Sequence, residues 1–185
     1  MQKNQQIAVK KITTLGVMAA LSIAWAFFIH IPFPPAPFLE YDPADIPIFI
    51  VSFIFGPWWG IALTVVVSLL QGLTVSAGSG IYGILMHVFA TSAFVIVSGL
   101  VYKHNKSFVG SVMALALGCL AQALIMIPLN LIFTPLFLGQ PVNAVIDMIL
   151  PVILPFNLMK AGINAIVTGL LFKHLEVVAK KFILN

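Results

Sequence analysis

The residues best placed to do chemistry in this sequence are Asn157, Lys160 and Asn164, in the stretch Pro151-Val-Ile-Leu-Pro-Phe-Asn-Leu-Met-Lys-Ala-Gly-Ile-Asn164. On a helix these positions fall at i, i+3 and i+7, so two carboxamides and one ammonium share a face. A lysine inside an apolar helix costs roughly 2.5 to 3.5 kcal/mol on membrane insertion, and such charges face a cavity, a partner or a ligand. Asp147, thirteen residues earlier, is about 20 Å away along a straight helix and cannot be that partner. The face therefore reads as the floor of a site for a small polar molecule. It offers hydrogen bonds and one positive charge, and its spacing suits binding rather than bond breaking.

Several reaction classes are absent from the residues. There is no HExxH, no GxSxG with a partner histidine and acid, and no GxxxxGK[ST] phosphate loop. The single cysteine, Cys119, excludes an internal disulfide and a CxxC centre, and no second ligand stands at metal spacing from His87. Neither a catalytic nor a metal residue is assigned, and no cofactor is expected on this chain.

Elements that must position the site follow from composition. With 61% hydrophobic and 8% charged residues and a mean hydropathy of +1.12, the chain is expected to be an integral membrane protein. Its 185 residues accommodate about six spans of ~20 residues each. The expected fold is an all-α bundle of six transmembrane helices forming one domain over residues 1–185, multi-pass in the cell membrane. No room remains for a nucleotide-binding domain. The net charge of +4 comes from nine dispersed lysines without an arginine cluster, which argues against nucleic acid.

Along the chain, Lys3, Lys10 and Lys11 precede an apolar run from Ile12 to Ile31. Ala24-Trp25-Ala26 resembles a signal cleavage site, but the run is one bilayer thick and predicts the first helix. Gly16, Ala20 and Ala24 repeat every four residues, a face suited to packing inside the chain or to docking a separate membrane subunit. Four prolines between His30 and Pro37 predict an extended loop. It leads to Asp42, expected to cap the next helix with Pro43 at its first position. The loop could also close over a polar ligand.

Gly56-Pro57 separates a run from Ile46 to Phe55 from one spanning Trp58 to Leu70, which predicts two helices meeting at a tight turn. A Gly/Ser-rich turn follows Gln71. Spans are expected from Ile81 to Tyr102, carrying His87, and from Phe108 to Phe133, carrying Gln122, Pro128 and Asn130. A loop over 134–146 precedes a last span that begins at Asp147. Six spans put both termini on one side, together with all the lysine-bearing ends (Lys3, Lys10, Lys11; Lys103, Lys106; Lys173, Lys180, Lys181), and that side is expected to be cytoplasmic. His87 and Lys160 are few for the proton relay of a stand-alone secondary carrier, which stays as an alternative class.

The motifs Phe38-Leu39-x-Tyr41-Asp42-x-x-Asp45-Ile46-Pro47, Phe55-Gly56-Pro57 and Leu154-Pro155-Phe156-Asn157-x-x-Lys160 resemble those of the riboflavin-transporter branch of S components, the substrate-binding subunits of energy-coupling factor (ECF) vitamin transporters. The resemblance implies a non-enzymatic subunit that takes a vitamin from outside. It also implies a transmembrane coupling protein and two cytoplasmic ATPases that use ATP. It assigns Asn157 and Lys160 to the ligand's polar head, Leu39 and Tyr41 to the closing loop, and Gly16, Ala20 and Ala24 to docking on the coupling protein. Asn164, Asp42, Gln71, His87 and Asn130 complete the candidate binding set. Flavin binders tend to carry a Lys-Asn pair on the third helix, where this chain has Ser68-Leu69-Leu70-Gln71-Gly72. That difference, and the carboxylate that could pair with Lys160, tilt the expectation to pantothenate, with riboflavin as the alternative.

Overall fold

A computed structural model describes residues 2–182, with side chains described over residues 5–176. Lys3, Lys180, Lys181 and the amphipathic tail beyond Glu176 therefore fall outside the described side chains. The chain forms a membrane-embedded helical bundle. Apolar surroundings offer no water to unpaired backbone groups, so almost every segment closes its hydrogen bonds internally. Helix α1 covers Gln2–Phe28, α2 Asp45–Phe55, α3 Pro57–Leu73, α4 Gly80–His104, α5 Phe108–Leu138, α6 Val142–Met148 and α7 Leu154–Phe182. Four stretches, Gln5–Phe28, Ala77–His104, Phe108–Leu138 and Val142–Glu176, are long and apolar enough to cross a membrane, while α2 and α3 are shorter.

The expectation of an all-α chain needs one correction. Ile31–Phe33 (β1) and Ala36–Tyr41 (β2) pair as an antiparallel hairpin, with Ile31 opposite Tyr41 and Pro32 opposite Glu40. The proline-rich stretch is extended, as its composition requires. A two-stranded ribbon is all edge, so prolines can turn their missing donors outward and pairing survives. Asp42 accepts the Ala44 amide at 3.0 Å, forming a turn before α2 instead of capping a helix that starts at Pro43; the helix begins at Asp45.

Helix α2 is the centre of the bundle. Asp45 through Phe53 are all buried, as suits a helix that is apolar all round. Its 11 residues span only ~16 Å, and the hairpin residues Ala36 and Leu39 cluster elsewhere, with Val145 of α6, Phe156 of α7 and Ile149 and Ile153 between them. Phe49 stacks on Phe94 of α4 with ring centroids 3.6 Å apart, and Phe53 stacks on Tyr102 at 4.7 Å while meeting Phe172 edge-on at 5.1 Å. At the α2–α3 turn Gly56 has φ 98°, a backbone conformation that glycine adopts without strain. Close approach of α2, α3 and α4 depends on Gly60, where a Cβ would lie 2.6 Å from Val95 Cγ1 and 2.9 Å from Ser52 Cβ. Gly60→Val is therefore expected to destabilise the bundle by about 1–3 kcal/mol, read as a lowered midpoint of thermal unfolding in detergent. An unchanged midpoint would show that the three helices can part freely.

The loop expected over 134–146 is also corrected. Helix α5 runs through Pro135 to Leu138 and ends at Gly139 in the left-handed conformation, φ 64°, because one missing amide costs less than unwinding in an apolar medium. After Pro141 the chain resumes as α6 and passes through a widened π turn, Ile149–Ile153, into α7. Pro151 and Pro155 withhold two backbone donors in this region, which accounts for the wider turn.

Candidate functional site

The hairpin and helices α3, α4, α5 and α7 enclose an open cleft of about 810 Å³, including its mouth. Its apolar wall comes from Phe38, Leu39, Ile84, Met86, Ala90, Met126 and Phe156, and its polar wall from Asp42, Ser68, Gln71, His87, Gln122, Asn157 and Lys160. This mixture of apolar surface with a few converging polar groups is the usual make-up of a small-molecule site.

Lys160 is not an unpaired charge. Its Nζ donates to Asp42 Oδ2 at 2.7 Å and to the Glu40 carbonyl at 3.1 Å. The partner lies 118 residues away in sequence, at the end of the hairpin. Asp42 Oδ1 accepts further hydrogen bonds from the Ala44 amide and, at 3.3 Å, from Gln71 Nε2. The ion pair thus fastens the hairpin end to α7, and the Gln71 amide ties it to α3, at the cleft wall.

A second polar chain lies beside it. The carboxylate of Asp45, fully buried, accepts from His87 Nε2 and from Thr91 Oγ1, both at 2.9 Å. His87 Nδ1 is 2.7 Å from Ser68 Oγ, which is also 2.7 Å from the Thr64 carbonyl. Ser68 Oγ donates to the Thr64 carbonyl, and its bond with His87 Nδ1 takes its direction from the imidazole tautomer. Ser68 of α3 thus backs the ring of His87, and His87 from α4 provides the donor facing Asp45.

The candidate residues divide into two groups. Leu39, Asp42, Gln71, His87, Asn157 and Lys160 line the cleft; Asn157 spends one amide hydrogen on the Ile153 carbonyl of the π turn, at 2.8 Å. Three others stand behind the wall. Asn164 is wholly buried, donates to the Asp42 carbonyl at 3.2 Å and accepts from Tyr41 Oη at 3.2 Å. Asn164 and Tyr41 thus hold the hairpin end in place, and the floor read from Asn157, Lys160 and Asn164 reduces to the first two. Asn130 turns back on its own helix, donating to the Met126 carbonyl and accepting from Thr134, each at 2.8 Å. Ser68 and Gln122 also line the cleft, although they stood outside the candidate binding set. Buried polar residues on the same spans were the available signal for them, but helix rotation decides which of them face the cleft.

On α1, Gly16 and Ala20 are exposed and Ala24 is half-buried, while Ala19, Ser22 and Ala26 face the core. An added Cβ at Gly16 would meet nothing within 4 Å. The small-residue face thus points away from the chain's own bundle.

Comparison with known proteins agrees with this architecture. The family described as "ECF transporter, substrate-specific component" matches residues 10–172. The riboflavin transporter FmnP of Bacillus subtilis is 27% identical over 91% of this chain and 93% of its own length. The riboflavin transporter RibU of Staphylococcus aureus is 28% identical over 90% of each. Among solved structures, one described as the S component of a bacterial ECF transporter superposes with a TM-score of 0.80 at 27% identity, covering 94% of this chain and 99% of that one.

Proposed function

We propose, from the premise that the chain belongs to the substrate-specific components of ECF transporters, that it captures riboflavin at the outer face of the membrane for ATP-driven uptake. The observation that carries this choice is the ion pair between Lys160 and Asp42 at 2.7 Å. The expectation of pantothenate rested on the third-helix sequence Ser68-Leu69-Leu70-Gln71-Gly72 and on a lysine in need of an anion. Asp42 already supplies that anion, so an incoming carboxylate would meet a like charge beside the same ammonium. A neutral ligand rich in carbonyls, ring nitrogens and hydroxyls suits a wall whose charges are already matched. The relatives FmnP and RibU are both riboflavin transporters, which supports the same choice.

In this reading six segments cross the membrane: α1, α2 with the hairpin, α3, α4, α5, and the continuous α6–α7 rod. Both termini are cytoplasmic. Lys10, Lys11, Lys103, Lys106 and Lys173 gather at one end of the bundle by the alternation of the helices. Lys11 Nζ lies 5.7 Å from the Phe55 ring and 5.9 Å from that of Trp59, so α1 and the α2–α3 turn share that end. The cleft opens at the other end. Energy comes from a transmembrane coupling protein and two cytoplasmic ATPases, with docking through Gly16, Ala20 and Ala24.

Equilibrium binding to the purified chain in detergent tests the ligand, with riboflavin and pantothenate measured side by side. Riboflavin is expected to bind at least about tenfold more tightly, a difference of ~1.4 kcal/mol. Tight binding of pantothenate alone would overturn the assignment and would require Lys160 to leave Asp42 for the ligand.

A further inference from the structure

The α5 residue Gln122 lines the cleft, is only 4% exposed, and has a carboxamide oxygen with no hydrogen-bond partner among the described residues. A buried amide left in this state is costly unless something fills its bonds. The other polar side chains of the wall are largely engaged. Lys160 donates to two acceptors, Gln71 to Asp42, His87 to Asp45 and Asn157 to Ile153. Gln122 is the carboxamide left over; its oxygen is shielded as it stands, and rotation of the side chain toward the cleft that it lines brings the amide to a partner there.

Its surroundings define the partner. Met126, one turn further along α5, packs with Ala90 and Met86 of α4, and all three line the same cleft as Gln122. Methionine sulfur and apolar surface favour contact with a flat aromatic ring. An amide at the edge of such a slot suits a ring edge that places a donor beside an acceptor, because one carboxamide can satisfy both at once. The isoalloxazine ring of riboflavin has such an edge, with N3–H between two carbonyls. Which end of the amide faces the donor is settled by rotation about its last bond.

We infer that Gln122 is a specificity-determining residue that reads the pyrimidine edge of the flavin ring, donating to a ring carbonyl and accepting from N3–H. This inference rests on the riboflavin reading above.

The test is a cycle of two proteins and two ligands: the full-length chain and Gln122→Met, each titrated in detergent with riboflavin and with N3-methylriboflavin. In the unaltered chain the methyl group is expected to weaken binding about 10- to 100-fold, the range of one paired amide contact. Gln122→Met is expected to lose a similar factor for riboflavin and to show no further loss for the methylated compound. Its retained binding of that compound would report a folded cleft. If the variant fails to bind either ligand, Gln122→Leu and Gln122→Asn repeat the cycle. Recovery of methyl discrimination by Gln122→Asn but not by Gln122→Leu supports the contact, and continued failure of all three overturns it. Methyl discrimination undiminished in Gln122→Met overturns the inference while riboflavin remains the ligand. Absence of riboflavin binding by the unaltered chain overturns both.

Discussion

Lys160→Met is expected to lower both the stability of the protein and its affinity for riboflavin, whereas Lys160→Met combined with Asp42→Asn restores stability alone. The ion pair is largely shielded, with the lysine and aspartate side chains 14% and 7% exposed. Removing one member of a buried pair typically costs 3–5 kcal/mol, because the other charge is stranded in a poor solvent. Here the cost should fall near the lower bound, about 3 kcal/mol, since Asp42 keeps its hydrogen bonds from Ala44 and Gln71. Neutralising both residues removes the stranded charge, and the apolar replacement packs without it. Thermal unfolding in detergent reads the first effect and riboflavin titration the second. Affinity is expected to fall at least about tenfold in both variants, as suits loss of a charge-assisted contact. Recovery of affinity in the double variant would remove Lys160 from the ligand's contacts and leave it as a fastening for the hairpin. On this expectation the pair links two roles, fastening the hairpin at the cleft wall and presenting a donor to the ligand.

Ala20→Leu is expected to abolish most uptake while leaving ligand binding and stability unchanged. Only 11% of the most apolar window of α1 is buried, against 33%, 39% and 28% for the other long spans, so α1 contributes least to the chain's own core. Its exposed small residues permit close approach of another helix, and a leucine there would hold that helix away. Overpacking at a helix contact costs typically 1–3 kcal/mol, about a 5- to 150-fold weakening of docking. Uptake of labelled riboflavin into vesicles containing the chain, the coupling protein and the ATPases measures the effect. Undiminished uptake would show that this face meets only lipid. Uptake by the chain alone, without ATP, would instead point to a secondary carrier.

Much of the fold was legible because a membrane permits few alternatives. A backbone in hydrocarbon must pair with itself, so long apolar runs become helices with little ambiguity. The run from Ile81 to Tyr102 became Gly80–His104, and the break at Gly56-Pro57 became the α2–α3 turn. The same rule explains the main misjudgement of an element, since Pro135 did not end α5 where a proline in a soluble loop region would have done so.

Composition and hydropathy by themselves determined the membrane bundle and the approximate helix limits, and motif spacing pointed to the transporter family. Tertiary structure decided the chemistry of the cleft. Asp42 found Lys160 across 118 residues, Asn164 and Tyr41 became supports for the hairpin, Asn130 closed on its own helix, and Gln122 turned inward. In a soluble helix the polar face announces which side meets water, and so which side is core. Here the lipid is as apolar as the core, so helices are hydrophobic all round and the sequence carries little record of their rotation. Rotation and crossing alone decide whether a polar side chain faces a ligand, a neighbour or its own backbone.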